Sequence, residues 1–275
     1  MNDNGKVVLI TGASSGIGKA CAEHLAQRGH RVFGTSRRAP FPPKAARSGS
    51  PRMIRMDVDQ DDSVKQGVDF ILQEAGRLDV VVNNAGFGIA GSVEDTSIGE
   101  AKGQFETNFF GVLRVCKAVL PAMRERRSGY IVNISSLGGL VALPYQGLYS
   151  AAKFAVEGLT EALRLEMRPF GVHVVLVEPG DFCTGFTANR CMALASQENQ
   201  AYADRCARII KNQEDGERAG ASPEKIARLL ERIINHSSPR PRYRVGSPVE
   251  VMGVMLKRIL PGRLFESLFA LFYGA

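Results

Sequence analysis

Tyr149 and Lys153 stand four residues apart in Tyr149-Ser150-Ala151-Ala152-Lys153, a spacing that puts a phenol and an ammonium on one face of a helix. A free phenol, with a pKa of about 10, is a poor base at neutral pH. A neighbouring cation favours the phenolate, so Lys153 is expected to bring Tyr149 down toward the range where side chains exchange protons efficiently. Such pairs are common in helices for structural reasons alone, and their meaning depends on what else the chain supplies.

A second group of residues suits an anion. Thr11-Gly12-Ala13-Ser14-Ser15-Gly16-Ile17-Gly18 lies between a β-branched apolar run and a stretch with helical spacing. Glycines at such a strand-to-helix turn permit unusual backbone angles and let phosphates approach main-chain amides at the positive end of the helix. The spacing here is Gly-x-x-x-Gly-x-Gly rather than the general Gly-x-Gly-x-x-Gly dinucleotide fingerprint, and a purely structural turn would look the same. The next strand-like run ends in Ser36-Arg37-Arg38 with no carboxylate. An acidic residue at that point would bond the ribose hydroxyls of NAD, whereas arginine grips the additional phosphate of NADP. NADP(H) is therefore the expected cofactor, with a solvated basic loop as the bland alternative.

The elements that must position these groups follow from periodicity. Strand-like runs occur at Lys6 to Thr11, Arg31 to Thr35, Met53 to Met56, Val80 to Asn83, Tyr130 to Ile134 and Val172 to Val177, with helical stretches between most of them. Alternation of this kind implies an α/β fold, a doubly wound parallel sheet covered on both faces. Arg38 to Arg52 contains four prolines and is expected to be an exposed loop. Beyond Pro179-Gly180 the pattern is helical, through Met192 to Asn212 and Pro223 to His236, and a short strand is expected at Arg242 to Val245. The boundaries drawn are a single domain over 1–248, with a substrate-loop region at about 183–220, and a C-terminal amphipathic helical extension over 249–275 that Pro261-Gly262 splits in two.

Composition excludes several classes. An apolar fraction of 44% supports a packed core. The five cysteines are odd in number and scattered, and they lack the Cys-x-x-Cys pairs of a zinc site, so they are expected to be reduced thiols with no metal site. His24, His30, His173 and His236 lack motif partners and are expected to be structural. The opening MNDNGKVVLITG lacks signal-peptide architecture, and no apolar run approaches the roughly 20 residues of a membrane span. These features point to a cytoplasmic protein. The formal charge of +7 comes with no nucleic-acid motif.

Taken in order, the glycine turn, Asn83-Asn84-Ala85-Gly86, Asn108, Ser136, Tyr149-x-x-x-Lys153 and Pro179-Gly180 make the chain resemble the short-chain dehydrogenase/reductase family. The resemblance implies a Rossmann-type sheet and a tetrad of Asn108, Ser136, Tyr149 and Lys153. Ser136 would hydrogen-bond the substrate oxygen, while its neighbour Ser135 lies one place off that spacing. Tyr149 would donate or accept the proton, and Lys153 would hold the nicotinamide ribose. Asn108 would anchor a water leading from Lys153 to solvent. Asp57 and Val58 would meet the adenine, Asn84, Ala85 and Gly86 would pass the ribose, and Pro179, Gly180 and Thr184 would orient the carboxamide. Two places before that threonine, where the family often has an apolar residue, the chain has Phe182. Dimers or tetramers through the helices bearing Asn108 and Tyr149 are implied as well.

Within the family, Ser136-Leu-Gly-Gly-Leu-Val-Ala-Leu-Pro144 and Ser36-Arg37-Arg38 resemble the branch of 17-beta-hydroxysteroid and retinol dehydrogenases, which implies a lipophilic substrate. Phe186, Met192, Leu194 and Tyr202 are candidates for its pocket, or ordinary core. The apolar tail, flanked by Lys257, Arg258 and Arg263, suits either a cover over the cleft or a subunit, or a peripheral contact with a membrane. Two rivals stay open: a 3-oxoacyl-carrier-protein reductase, which shares the motifs, and a non-catalytic NADP(H)-binding redox sensor, against which the intact tetrad counts.

Overall fold

The computed structural model of the protein describes residues 5–40 and 47–274. Along the chain run β1 (Val7–Ile10), α1 (Gly16–Gln27), β2 (Arg31–Ser36), β3 (Arg52–Arg55), α2 (Asp61–Ala75), β4 (Val80–Asn83), the two-residue β5 (Ile89–Ala90), α3 (Ile98–Phe105) and α4 (Gly111–Arg126). They are followed by β6 (Gly129–Ile134), α5 (Gly147–Met167), β7 (Val172–Pro179), β8 (Cys191–Met192), α6 (Ala203–Ala219), α7 (Glu224–Ile234), β9 (Arg242–Val245), α8 (Pro248–Ile259) and α9 (Gly262–Tyr273). Seven strands form one parallel sheet in the order β3-β2-β1-β4-β6-β7-β9, and β5 pairs with β8 in a separate two-stranded ribbon.

The expected doubly wound sheet is what forms, and the strands show why. In β1 and β4 every residue is buried, because helices cover both faces. Alternate residues feed two cores. Leu9, Val81, Ile131 and Leu176 pack with Val68 of α2, Val115 of α4 and Val156 of α5. Val8, Ile10, Val80, Val82 and Val132 face the other way, onto Leu25 of α1 and Leu230 and Ile233 of α7. Each such buried aliphatic side chain contributes about 1.5–3 kcal/mol. The strand at Arg242–Val245 pairs with β7 in the register Leu176↔Arg242 and is the seventh strand of the sheet. Residues 41–46 of the proline-rich connector lie outside the described residues.

One helix expectation fails. The stretch Met192 to Asn212 is not one helix: the Cys191 and Ala193 amides donate to the Gly88 and Ala90 carbonyls, and a 3-10 turn at Leu194–Gln197 follows before α6 begins at Ala203. Pairing with a distant segment overrides local helical spacing here. The tail forms the two expected helices. Val254 and Phe265 are buried against Leu137 and Val141, and the Lys257 ammonium donates to the Leu140 carbonyl at 2.7 Å. The extension therefore lies on the segment just after β6. Among the described residues no helix is long and apolar enough to cross a membrane.

Candidate active site

The strand order reverses between β1 and β4, and it is at the carboxyl ends of those strands that a crevice opens in sheets of this kind. The loops there are bolted together by hydrogen bonds between two polar side chains and the main chain. The Thr11 hydroxyl accepts from the Asn84 and Ala85 amides at 2.9 and 3.0 Å. Asn84 Nδ2 donates back to the Thr11 and Gly12 carbonyls. Gly12 and Gly16 sit at φ +66° and +55°, the left-handed region that favours glycine. A Cβ on Gly18 would lie 2.5 Å from the Gly12 carbonyl oxygen. Ser15 precedes α1 in extended conformation without capping it by its side chain, and no acidic residue occupies the first turn. The unpaired amides and positive helix end thus fit a pyrophosphate.

At the end of β2 the Ser36 hydroxyl accepts from the Arg38 amide. Arg37 is exposed, and its guanidinium has no hydrogen bond or ion pair among the described residues. Asp57 follows β3, its amide donating to Ser63 Oγ and its Oδ1 accepting from the Asp59 amide. Val58 is buried against Gly111. Two arginines and no carboxylate at the end of β2 suit a phosphorylated ribose.

Beyond β6, Ser136 Oγ accepts from the Gly138 amide at 3.0 Å, which fixes its direction. Ser136 Oγ donates to the Pro179 carbonyl at 3.4 Å, and it stands beside the Tyr149 ring, both lying within 3.4 Å of where a Cβ on Gly138 would be. Tyr149, in the first turn of α5, is buried with its ring 5.6 Å from that of Phe186. One turn on, Lys153 Nζ donates to the Ile134 carbonyl at 2.9 Å and lies 5.8 Å from the Tyr149 ring centroid. The expected depression of the tyrosine is not found. Burial pushes Tyr149 up to about 12, the Ser136 hydroxyl opposes this, and the charges of Glu217 and Asp181 add to it. Lys153 is itself lowered to about 8 by burial, against the pull of Glu157. Desolvation is the largest influence on the phenol, so near neutral pH Tyr149 is a protonated donor.

Asn108 lies in a π-helical turn, Glu106–Phe110, that joins α3 to α4. Both ends of its amide are used: Nδ2 donates to the Phe87 carbonyl at 2.9 Å and Oδ1 accepts from the Phe87 amide at 3.1 Å. Its side chain thus holds the loop after Gly86. Gln104, fully buried, shares this work by donating to the same carbonyl and accepting from the Ile89 amide. A single glutamine in an amphipathic helix gave no signal of this in the sequence.

Pro179 ends β7 and the Gly180 amide donates to the Val245 carbonyl. Thr184 reaches across to the glycine turn, where a Cβ on Gly16 would stand 3.3 Å from it. Phe182 is buried in a bridge to Ala221. One cavity of 1510 Å³ brings the expected site residues together, with only Gly18 buried out of reach in α1. Among the candidate pocket residues Phe186 lines it, whereas Met192 packs with Ala90, Leu194 is 85% exposed and Tyr202 lies outside. The far wall comes from the tail: Leu256, Leu260, Phe265, Phe269 and Phe272. Glu250 was also missed. It caps α8 with Ser247 in a Ser-x-x-Glu box that is legible in the sequence, and it accepts from the Asp181 amide at 2.7 Å, which is not.

Comparison with known proteins bears on this geometry. The family model described as short chain dehydrogenase matches residues 6–194. The chain is 46% identical over 269 residues to a 3-ketodihydrosphingosine reductase of Bacteroides thetaiotaomicron, covering 98% of each. It is 34% identical over 268 residues to retinol dehydrogenase 8 of Bos taurus, covering 90% of this chain and 83% of that one. A solved short-chain dehydrogenase from Streptomyces avermitilis superposes with a TM-score of 0.82 at 34% identity, over 94% of both chains.

Proposed function

This chain belongs to the short-chain dehydrogenase/reductase family, and from that premise we propose that it is an NADP(H)-dependent oxidoreductase interconverting a carbonyl and an alcohol on a long-chain, lipophilic substrate. The observation that carries the reading is the paired Ser136 and Tyr149 hydroxyls in a cavity whose far side is walled by apolar side chains of α8 and α9. The relative named for a ketodihydrosphingosine, with nearly the whole of both chains aligned, supports a lipid-like carbonyl.

The dinucleotide supplies or removes the hydride when bound. Everything else falls to this chain. The glycine turn and the α1 amides hold the pyrophosphate, and Arg37, with Ser36 and Arg38, takes the ribose phosphate. Ser136 and Tyr149 reach one substrate oxygen, where Ser136 orients it and Tyr149 gives up its proton as the carbonyl is reduced. Lys153 holds the ribose and offers a cation to the tyrosinate left behind. Because Lys153 is lowered to about 8, its cation is present below that pH and lost above it. Reduction is expected to hold steady to about pH 8 and to decline beyond.

Exposed Met252, Met255, Ile259, Leu268 and Leu271 on α8 and α9 would rest on the lipid surface that holds such a substrate. Exposed Phe110 and Phe154, near Asn108 and on α5, would join two copies, which sedimentation would reveal as a dimer or tetramer. The test of function is a panel of long-chain ketones, retinoid and steroid carbonyls and acyl thioesters, followed at the NADPH absorbance band with NADH beside it. Turnover of lipophilic ketones with NADPH preferred is expected. Turnover of carrier-protein thioesters alone would favour the 3-oxoacyl reductase, and NADPH binding with no turnover would favour the redox sensor.

A further inference from the structure

The substrate end of the cavity has a polar pole that the foregoing chemistry leaves unused. Asp181, Glu217 and Gln146 line it. Asp181 is tied into the fold by main chain only, its amide donating to Glu250 and its carbonyl accepting from the Ala221 amide. Its carboxylate accepts no hydrogen bond among the described residues. Gly216 of α6 leaves the space this carboxylate occupies, since a Cβ there would come within 2.7 Å of Oδ2. Glu217 accepts from the Thr187 hydroxyl and from Arg190.

Gln146 makes an independent demand. It is 2% exposed, and its Nε2 donates to Gln213 Oε1 at 2.5 Å. Gln213 Nε2 in turn donates to the Pro144 carbonyl, so the direction of both amides is set. Gln146 Oε1 is then left buried without a donor. An unpaired buried acceptor costs about 1–3 kcal/mol, and a substrate group that carries donors would relieve it.

The charge at this pole agrees. Burial and the nearby carboxylates of Glu250 and Glu217 raise Asp181 to about 7, against the single guanidinium of Arg190. A cation arriving there would be drawn in and an anion turned away. The pole is also close to the chemistry: Gln146 lies three residues before Tyr149, and the charges of Asp181 and Glu217 are felt at the tyrosine hydroxyl. A primary ammonium brings three donors and one positive charge, which fits an unpaired carboxylate and an unpaired amide oxygen together.

We propose that Asp181, with Glu217 and Gln146, forms a subsite for a primary ammonium close to the reacting carbonyl, so that the preferred substrates are long-chain amino ketones and the products amino alcohols. The subsite rests on the carbonyl reading given above, with the alkyl chain lying against α8 and α9.

Two measurements on the dinucleotide-loaded enzyme separate the two ideas. The first compares kcat/KM, with NADPH, for a long-chain 2-amino ketone and for the same ketone without the amine. Wild type is expected to prefer the amino ketone by about tenfold or more, as one charge-assisted hydrogen bond allows, and Asp181→Asn to lose most of that preference. An equal preference in both proteins, or none in wild type, overturns the subsite and leaves carbonyl reduction standing. If Asp181→Asn does not fold, Gln146→Met carries the same comparison, with the same outcomes. The second measurement is calorimetric binding of a long-chain primary amine and of the matching alcohol to protein saturated with NADP+. Tighter amine binding that weakens in the variant supports the subsite even if no ketone is turned over, a result that would overturn the carbonyl reading instead. Amine binding no tighter than alcohol binding overturns the subsite.

Discussion

The two halves of the cavity are built in opposite ways. The half under β1, β2 and β4 is a shelf of main-chain atoms, with Thr11, Asn84 and three glycines packed so closely that a methyl group does not fit at Gly18. The half under α6, α8 and α9 is a wall of side chains, apolar along the tail and acidic near Asp181. A shelf of amides accepts one kind of ligand, a phosphate, and tolerates almost no variation. A wall of side chains can be re-shaped residue by residue, so that in one molecule the cofactor end is fixed and the substrate end is tunable.

Substitutions can break or sharpen this contrast. Tyr149→Phe stands between the halves and should cost the most: turnover is expected to fall by about 10³-fold, within the range for loss of a proton-transfer group, while NADPH titration shows binding retained. Near-normal rates would end the mechanism. On the shelf, Gly18→Ala should be disproportionate for one methyl group. It forces a contact with the Gly12 carbonyl, an overpacking cost of about 1–3 kcal/mol, visible as a lower Tm and a weakened NADPH affinity. If the variant melts and binds like wild type, the shelf is not rigid. Arg37→Leu should reduce the preference for NADPH over NADH by roughly tenfold, the worth of one charge-assisted hydrogen bond, and an unchanged ratio would remove Arg37 from the phosphate. On the wall, Phe269→Ala should be graded. Losing about 1 kcal/mol of apolar contact raises KM for a long-chain ketone roughly fivefold and leaves a short ketone nearly alone.

The same contrast explains what could be read from the sequence. The shelf needs glycine at fixed intervals and small polar residues at strand ends, so Gly12, Gly16, Gly18 and Asn84 announced themselves; spacing paired Tyr149 with Lys153, and the family resemblance added Asn108 and Ser136. The wall asks only for apolar residues on a helix face, a pattern shared by any core helix. Hence Phe186 was separable from Leu194 and Tyr202 only by position in space. Cys191 and Met192 pair with Ile89 and Ala90 because a distant segment offers its edge, which local spacing does not encode. Tyr149 lines the cavity, but its proton affinity is raised where the sequence led one to expect it lowered. Residue type and spacing fix which charges lie near, but burial sets the solvation term that prevails here. Gln104, Gln146 and Asp181 went unnoticed because the partners that give each its meaning lie far away along the chain.

Glu250 gives the molecule an order of assembly. Its carboxylate closes the first turn of α8 and also receives the amide of Asp181, pressing close enough to Gly180 that a Cβ there would clash at 2.2 Å. The segment beside the carboxamide position is thus finished by a residue that leaves the ribosome about 70 positions later. A nascent chain can form six of the seven sheet strands and its glycine turn and still lack this brace, so competence to bind dinucleotide should come before competence to turn over substrate as the chain emerges.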